Sequence, residues 1–503
     1  MTSFNRFIFE HRALLLALFV SLAIKALLLL QDPVVNRDAV LYIAAAESFS
    51  QGNFSQGVEH YRMPLYPLLL TAFHFFVPNW ILAGQLLHAF FLLFSLIPLY
   101  FLTLNLFNRS AAFFTALLFA VVPVFNGVGS ITRDPPFLFL VLCALALLSA
   151  EGGKFSARRF LLVGVLVVVA TFIRIEGIVL LGLLPVMLLW QYRKQLSTKK
   201  IVKISAATGL SIGFLLLVVW VINVLGFATQ SRLSDIFIWF NRLQTFDTYF
   251  ALMDFLREIQ SETPGGNLKN NLIAKARHFA PIIYSLGLLE ILIKEVFPTS
   301  VLALWALRWR EESLFNSPRS IIVWPWIAFV VVNLLFCLLR NFTVTRYMWL
   351  PIVLTLPFVG YGISLWWDRY NGKVSSAVVL MMIFFAVPAT KALSDLGKDQ
   401  RDSIRQAGHW LVTHDSEKNL KILFNDRRLS LYANRAQEHN NRINEVVTDG
   451  SIVDTFSESG ADLVVLYFSG EVNDFSRPKG YSLLISFKDS RSFVLVLSKV
   501  HDR

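Results

Sequence analysis

The sequence predicts a polytopic α-helical membrane protein with a soluble α/β domain at its C-terminus. Three observations carry that reading. The chain has 503 residues, of which 55% are hydrophobic and 45 are Phe, and its mean hydropathy is +0.57. Apolar runs recur from Ala13 to about Thr390, many of them near the roughly 20 residues that cross a bilayer as a helix. From about Lys391 the composition turns charged and no spanning run follows. A formal net charge of +12 fits cytoplasmic loops rich in Lys and Arg. No basic patch interleaved with aromatics points to nucleic acid. Cys143 and Cys337 both lie in apolar runs and read as buried thiols without a chemical role.

The first apolar run, 13–30, follows Arg6 and Arg12. No small-residue cleavage site stands in Gln31-Asp32-Pro33, so the run reads as an uncleaved span. Lys25, near its outer end, is expected to snorkel to the interface. Further spans are expected at 81–106, 111–127, 134–150, 159–173, 176–191, 203–226, 281–307, 320–339, 347–367 and 374–390. That makes about 11, rising to about 13 if short helices are misread. The run 64–77 is short for a span and is closed by Pro78.

Orientation turns on that run. If it does not cross, Arg109, Lys154, Arg158, Arg159, Arg193, Lys194, Lys199, Lys200, Lys203, Arg308, Arg310, Arg319, Arg369 and Lys373 all fall on the side of the N-terminus. That is the positive-inside pattern. If it crosses, these clusters face outward. The non-crossing topology is preferred. It makes 1–390 a transmembrane catalytic domain, with a first outer loop at 31–80 holding interfacial helices and a second at 227–280. Residues 391–503 become an extracytoplasmic α/β domain of about 110 residues, large enough for its own core. Within it, helices are expected at 401–413 and 452–457, and strands at 420–424, 443–447, 463–467, 482–487 and 492–498. The expected location is a bacterial inner membrane.

This topology brings Asp38, Arg62, Asp134, Arg174, Glu176, Arg340 and Arg346 to the outer face, a mixed acidic and basic set. Asp38 opens a helix expected at 39–49 and serves there as an N-cap. Alternatively, i, i+3, i+4 spacing places Asp38, Leu41, Tyr42, Ala45 and Phe49 on one face. A carboxylate and a phenol then project together from an apolar stripe, where a carboxylate can act as a general base. Tyr61, Arg62 and Tyr66 follow in the same loop. Asp134, in Thr132-Arg133-Asp134-Pro135-Pro136, has the same capping alternative, with Pro at the first helical position. Arg174 and Glu176 interrupt an apolar stretch, where charges mark function or a pair at a helix boundary. Glu290 and Lys294 sit mid-span at i, i+4, as a mutual ion pair would. Arg340 and Arg346 flank a short outer loop, and a guanidinium fork suits phosphate. Attraction to anionic lipid headgroups is the competing account. No P-loop, dinucleotide fingerprint, paired-histidine zinc motif or Gly-x-Ser-x-Gly elbow is present.

The order of Asp38 with Tyr42, then Arg62-Met63-Pro64-Leu65-Tyr66, Thr132-Arg133-Asp134-Pro135, Arg174-Ile175-Glu176-Gly177 and Arg346-Tyr347-Met348-Trp349-Leu350-Pro351 resembles a known family. It resembles the C-type (GT-C) membrane glycosyltransferases, in the branch of protein O-mannosyltransferases and the lipid A aminoarabinose transferase. The resemblance covers about residues 10–390. It implies a sugar donor on a polyprenyl phosphate, used outside the membrane on a glycolipid, polysaccharide or protein acceptor. It implies that Asp38 is the catalytic base and Asp134 a second acid nearby. Arg62 and Arg346, with Arg174, are then expected to hold the donor phosphate. Tyr42, Tyr61, Tyr66, Glu176 and Arg340 are expected to contact substrate. Where the aminoarabinose-transferase type carries a glutamate before the basic residue, this chain carries Tyr61, so no metal is expected, with a divalent ion there as the alternative. A flippase of lipid-linked sugars, or a polymerase or ligase using diphosphate-linked glycans, are the other functional classes.

Overall fold

The computed structural model describes residues 12–31, 34–127, 129–150, 157–191, 246–262, 267–297, 318–341, 344–370, 402–440, 460–469, 480–489 and 492–500, with scattered helical residues between 198 and 217 and at 300, 386 and 390. The helices in chain order are α1 (Arg12–Leu29), α2 (Arg37–Ser50), α3 (Phe54–His60), α4 (Leu65–His74), α5 (Trp80–Leu106), α6 (Arg109–Val121), α7 (Asp134–Ser149), α8 (Ala157–Ile173) and α9 (Gly177–Gln191). They continue as α10 (Asp247–Glu262), α11 (Asn267–Val296), α12 (Ser320–Arg340), α13 (Trp349–Tyr370), α14 (Asp402–His414) and α15 (Arg427–Tyr432). Four strands follow α14: β1 (Ile422–Phe424), β2 (Leu463–Ser469), β3 (Tyr481–Lys488) and β4 (Ser492–Lys499).

These elements form two compact units, neither contiguous in sequence. One comprises Met1–Lys25, Ala89–Gly127 and Arg133–Leu393; the other comprises Ala26–His88, Val128–Thr132 and Ser394–Arg503. The composition change near 391 lies beside Ser394, where the second unit resumes. Residues 31–80, expected as the first outer loop, belong to that unit as well.

Among the described residues, α1, α5, α12 and the stretch Thr345–Arg369 are long and apolar enough to cross a membrane. Shorter apolar helices stand at Leu65–His74, Arg109–Val121, Asp134–Ser149 and Gly177–Met187. The chain is thus an integral membrane protein. Spans expected at 203–226 and 374–390, and the end of that at 281–307, lie wholly or largely outside the described residues. Two boundaries differ from expectation for identifiable reasons. The helix expected at 111–127 stops at Val121 because Val122 precedes Pro123 and is extended, with ψ 124°. The helix expected from 281 already starts at Asn267. Its polar first turns lack hydropathy, but Leu, Lys, Ala and Arg are good helix formers.

In the first unit α6 packs on α13 at Gly360, where an added Cβ would lie 2.7 Å from the Ala111 carbonyl oxygen. Thr115 Oγ1 also donates to the Leu356 carbonyl at 3.3 Å. Lys25 does not snorkel. It is 2% exposed and donates to Ser21 Oγ, the Phe125 carbonyl and Asn126 Oδ1 at 3.0, 3.1 and 3.0 Å. A buried ammonium with three acceptors replaces contact with water, so the position locks α1 to the turn after α6. Glu290 and Lys294 form no ion pair with one another. They are exposed beside Leu286, Leu289 and Ile293, where such a pair contributes little.

In the second unit α4 has 10 residues. At about 1.5 Å per residue it spans about half of a hydrocarbon core. Among the described residues the C-terminal part forms a sheet of four strands in the order β1-β2-β4-β3. β1 runs parallel to β2, and β4 pairs antiparallel with both β2 and β3. β2 is buried at every residue but its last, as its Val-rich run predicted. Its core includes Ala461, Val464, Leu466, Phe468, Tyr481 and Leu497. The strand expected at 443–447 and the helix expected at 452–457 lie outside the described residues.

Candidate active site

The sequence-predicted residues fall into two groups, one in each unit. In the first unit Asp134 opens α7. The N-cap position belongs to Arg133, whose side chain makes no capping bond. The capping account of Asp134 gives way to pairing: its carboxylate accepts from Arg174 Nη1, and both side chains are buried. Arg174 lies just after α8. Its Nε and Nη2 donate to Glu176 at 3.3 and 2.7 Å. Gly177, the next residue and the first of α9, sits on Thr171, where an added Cβ would lie 2.7 Å from the hydroxyl oxygen. Each nitrogen of Arg174 thus donates to a carboxylate, so a phosphate would meet it in competition with two acids.

Burial alone would raise the Glu176 carboxyl. The charge and hydrogen bonds of Arg174, with the charge of Arg133, outweigh it and hold the group at about 2. Arg174 also lies 5.5 Å from the Phe137 ring centroid and 5.6 Å from that of Tyr347. Arg346, half-buried in the 3-10 turn Thr345–Met348, lies 5.5 Å from the same Tyr347 ring. Tyr347 therefore brings Arg346 to the Asp134–Arg174–Glu176 group. Sequence reading assigned nothing to Tyr347, Phe137 or Arg133; their adjacency to predicted charged residues was the signal available. Arg340 ends α12 and is exposed. The next residue, Asn341, is left-handed with φ 52°. It accepts from Tyr284 Oη and donates to the Thr248 carbonyl, each at 2.8 Å.

In the second unit Asp38 is half-buried in the first turn of α2. The N-cap is Asn36, with φ −72° and ψ 161°, so Asp38 is helical and its capping account also falls. A carboxylate in a first turn is favoured by the helix dipole. One turn on, the Tyr42 ring packs edge-on against Tyr61 and Tyr66, with centroids 4.7 and 4.9 Å away. Tyr66 is fully buried and its hydroxyl has no hydrogen-bond partner among the described residues. Burial, with Tyr61 beside it, raises this phenol, so it remains an O–H donor. Arg62 follows Tyr61 and is exposed.

Further along α2, burial pushes the Glu47 carboxyl up to about 7, against the Lys418 charge and a Gln437 hydrogen bond that pull it down. The folded state therefore holds this proton more tightly than the unfolded chain. Stability from Glu47 is full below about pH 4.5 and is lost as pH rises toward about 7, with a ceiling of about 3 kcal/mol. Glu47→Gln is expected to flatten that window and to leave the protein more stable than wild type above pH 7. Unfolding of both proteins across pH checks it. Burial lowers His60, an opposite effect common to both proteins. Equal pH dependence in the two would refute the assignment.

Among the described residues no group of three or more His, Cys, Asp or Glu side chains is placed to hold a metal ion. No family model matches the chain and no curated protein matches its sequence. Solved structures do match its fold. ArnT from Cupriavidus metallidurans, bound to undecaprenyl phosphate, superposes with TM-score 0.58 at 13% identity, over 98% of this chain and 98% of that one. The archaeal oligosaccharyltransferase AglB from Archaeoglobus fulgidus, in complex with an inhibitory peptide and a dolichol-phosphate, gives TM-score 0.57 at 12% identity. That match covers 92% of this chain and 70% of that one. Both neighbours are GT-C glycosyltransferases, and the chain has their fold.

Proposed function

We propose that this GT-C-fold chain is a membrane glycosyltransferase that moves a sugar from a polyprenyl-phosphate-linked donor to an extracytoplasmic glycolipid, polysaccharide or protein. The end-to-end fold match with ArnT, solved with undecaprenyl phosphate, carries the reading. Asp38 takes the proton from the acceptor hydroxyl as that oxygen bonds to the sugar carbon. The bond from that carbon to the phosphate oxygen breaks, and its electron pair leaves with the lipid phosphate. Arg62 and Arg346 neutralise the leaving phosphate. Asp134, Arg174 and Glu176 form an ion cluster that holds Arg346 through Tyr347. Arg340 contacts a substrate, whereas Tyr42, Tyr61 and Tyr66, expected to do so from the sequence, are buried against one another and support the helix of Asp38. The protein works in a bacterial inner membrane with its reaction on the outer side.

The test uses the purified chain in nanodiscs with labelled undecaprenyl-phosphate-linked pentoses and hexoses. The expected result is release of free undecaprenyl phosphate that depends on acceptor. Movement of intact donor without cleavage would make the protein a carrier instead. Use of diphosphate-linked glycans alone would make it a polymerase or ligase.

A further inference from the structure

The helix that carries Asp38 begins on contacts from the C-terminal residues of the same unit. Arg37, the first residue of α2, donates from Nε to Asp426 Oδ2 at 2.9 Å. Two residues earlier the Val35 amide donates to the Tyr432 hydroxyl at 3.2 Å. These two bonds bracket Asn36, the helix N-cap, and so fix where and in which direction α2 starts.

The groups that make these bonds are themselves held rigidly. Asp426 follows β1 and is buried. Its Oδ1 accepts from the amide and Nε of Arg428 at 3.0 and 2.9 Å, and its Oδ2 from Arg428 Nη2 at 2.8 Å. The Arg428 guanidinium lies 5.1 Å from the Tyr467 ring centroid. Between β1 and Asp426, the Asn425 side chain bonds the amide and carbonyl of Tyr467 in β2 at 2.6 and 2.8 Å. Burial would raise the Asp426 carboxyl, but Arg428 and Arg37 lower it, so it stays ionised. Tyr432 ends α15 and is fixed from behind by Gly408, where any Cβ would collide with it. α15 and the turn Ala436–Glu438 both pack against α2. A pairing between Arg37, two-thirds exposed, and a carboxylate 1% exposed is therefore a contact of a pliable arm with a fixed post.

We infer that the C-terminal domain is a positioning element for transfer, with Asp426 and Tyr432 setting the start of α2 and thereby the aim of Asp38. This rests on Asp38 being the base of the proposed reaction. Arg37, Asp426 and Tyr432 act through Asp38 and touch no substrate. An acceptor-binding role for the domain is not needed to explain its presence.

The experiment uses the full chain in nanodiscs and two readouts. Arg37→Gln removes the exposed partner, and Tyr432→Phe removes one hydroxyl; neither leaves a buried charge alone. Amide exchange at 35–41 is expected to rise about tenfold in each, with β2 and β4 unchanged. Turnover of an undecaprenyl-phosphate-linked sugar is expected to fall about tenfold in kcat with donor KM within about twofold. Arg37→Lys, which keeps the charge, should recover part of the loss. Unchanged exchange would overturn the clamp. Raised exchange with wild-type kcat would overturn the positioning of Asp38. A raised donor KM would make Arg37 a donor-binding group and overturn the inference as well. If the wild type releases no lipid phosphate from any donor, the glycosyl-transfer reading fails, and the exchange readout still decides the clamp.

Discussion

Asp38→Asn is expected to lower release of undecaprenyl phosphate about a thousandfold, while insertion, thermal stability and donor-lipid binding stay near wild type. The magnitude is that of losing a positioned general base, about 10²–10⁴ in rate. Asparagine keeps the size of the side chain and removes its basicity. The structural cost is small, because asparagine is isosteric with aspartate and the helix N-cap is Asn36, two residues earlier. What is lost on folding is a favourable contact with the helix dipole, about 0.3–1 kcal/mol. The measurement is turnover of labelled donor beside a binding assay with undecaprenyl phosphate. Retention of activity within tenfold of wild type would remove Asp38 from the mechanism. Loss of lipid binding together with turnover would give it a role in the ground state instead.

Arg174→Met is expected to be the most destabilising of the changes considered. It leaves Asp134, whose side chain is 6% exposed, without its cation. Breaking a buried pair from one side typically costs about 3–5 kcal/mol. Glu176, 28% exposed at its side chain, regains water and adds less. The coupling has its own signature. Asp134→Asn in the same chain should recover at least about 1 kcal/mol of the loss, because the unpaired charge is gone. Additive losses would mean that the pair contributes no coupling. Arg174→Lys should substitute only in part, since an ammonium lacks the planar pair of donors that Nε and Nη2 offer Glu176. The Glu176 carboxyl is held at about 2 chiefly by Arg174, against burial that raises it. Its stabilisation is present above about pH 4.5 and disappears as pH falls toward 2, and that acid limb should shrink in Arg174→Met.

Fold class was legible because hydropathy and composition are local quantities, summed over windows of a span's length. Helices 134–149 and 157–173 stand where apolar runs placed them for that reason. Lys25 was misjudged because its surroundings come from Phe125 and Asn126, a hundred residues away, and no window holds both. Asp38 and Asp134 each looked like a cap because Asp before an apolar run is the signal for one. The backbone places the N-caps elsewhere, at Asn36 and Arg133. Charges in an apolar run pointed to Arg174 and Glu176, yet which acid they meet is tertiary information. The tie between Arg37 and Asp426 could not be read at all, since neither residue belongs to a motif.

The order β1-β2-β4-β3 sets a timetable for assembly. Among the described strands β3 joins the sheet through β4, and β4 is built from 492–499, after β3 itself. Arg37 leaves the ribosome 389 residues before Asp426. At about 5–20 residues per second that is a wait of about 20–80 seconds. During it, the segment around Asp38 exists without the groups that fix its start. The proposed base thus gains its final setting only once Asp426 and Tyr432 have been made, and a chain that stops before them carries an unset α2.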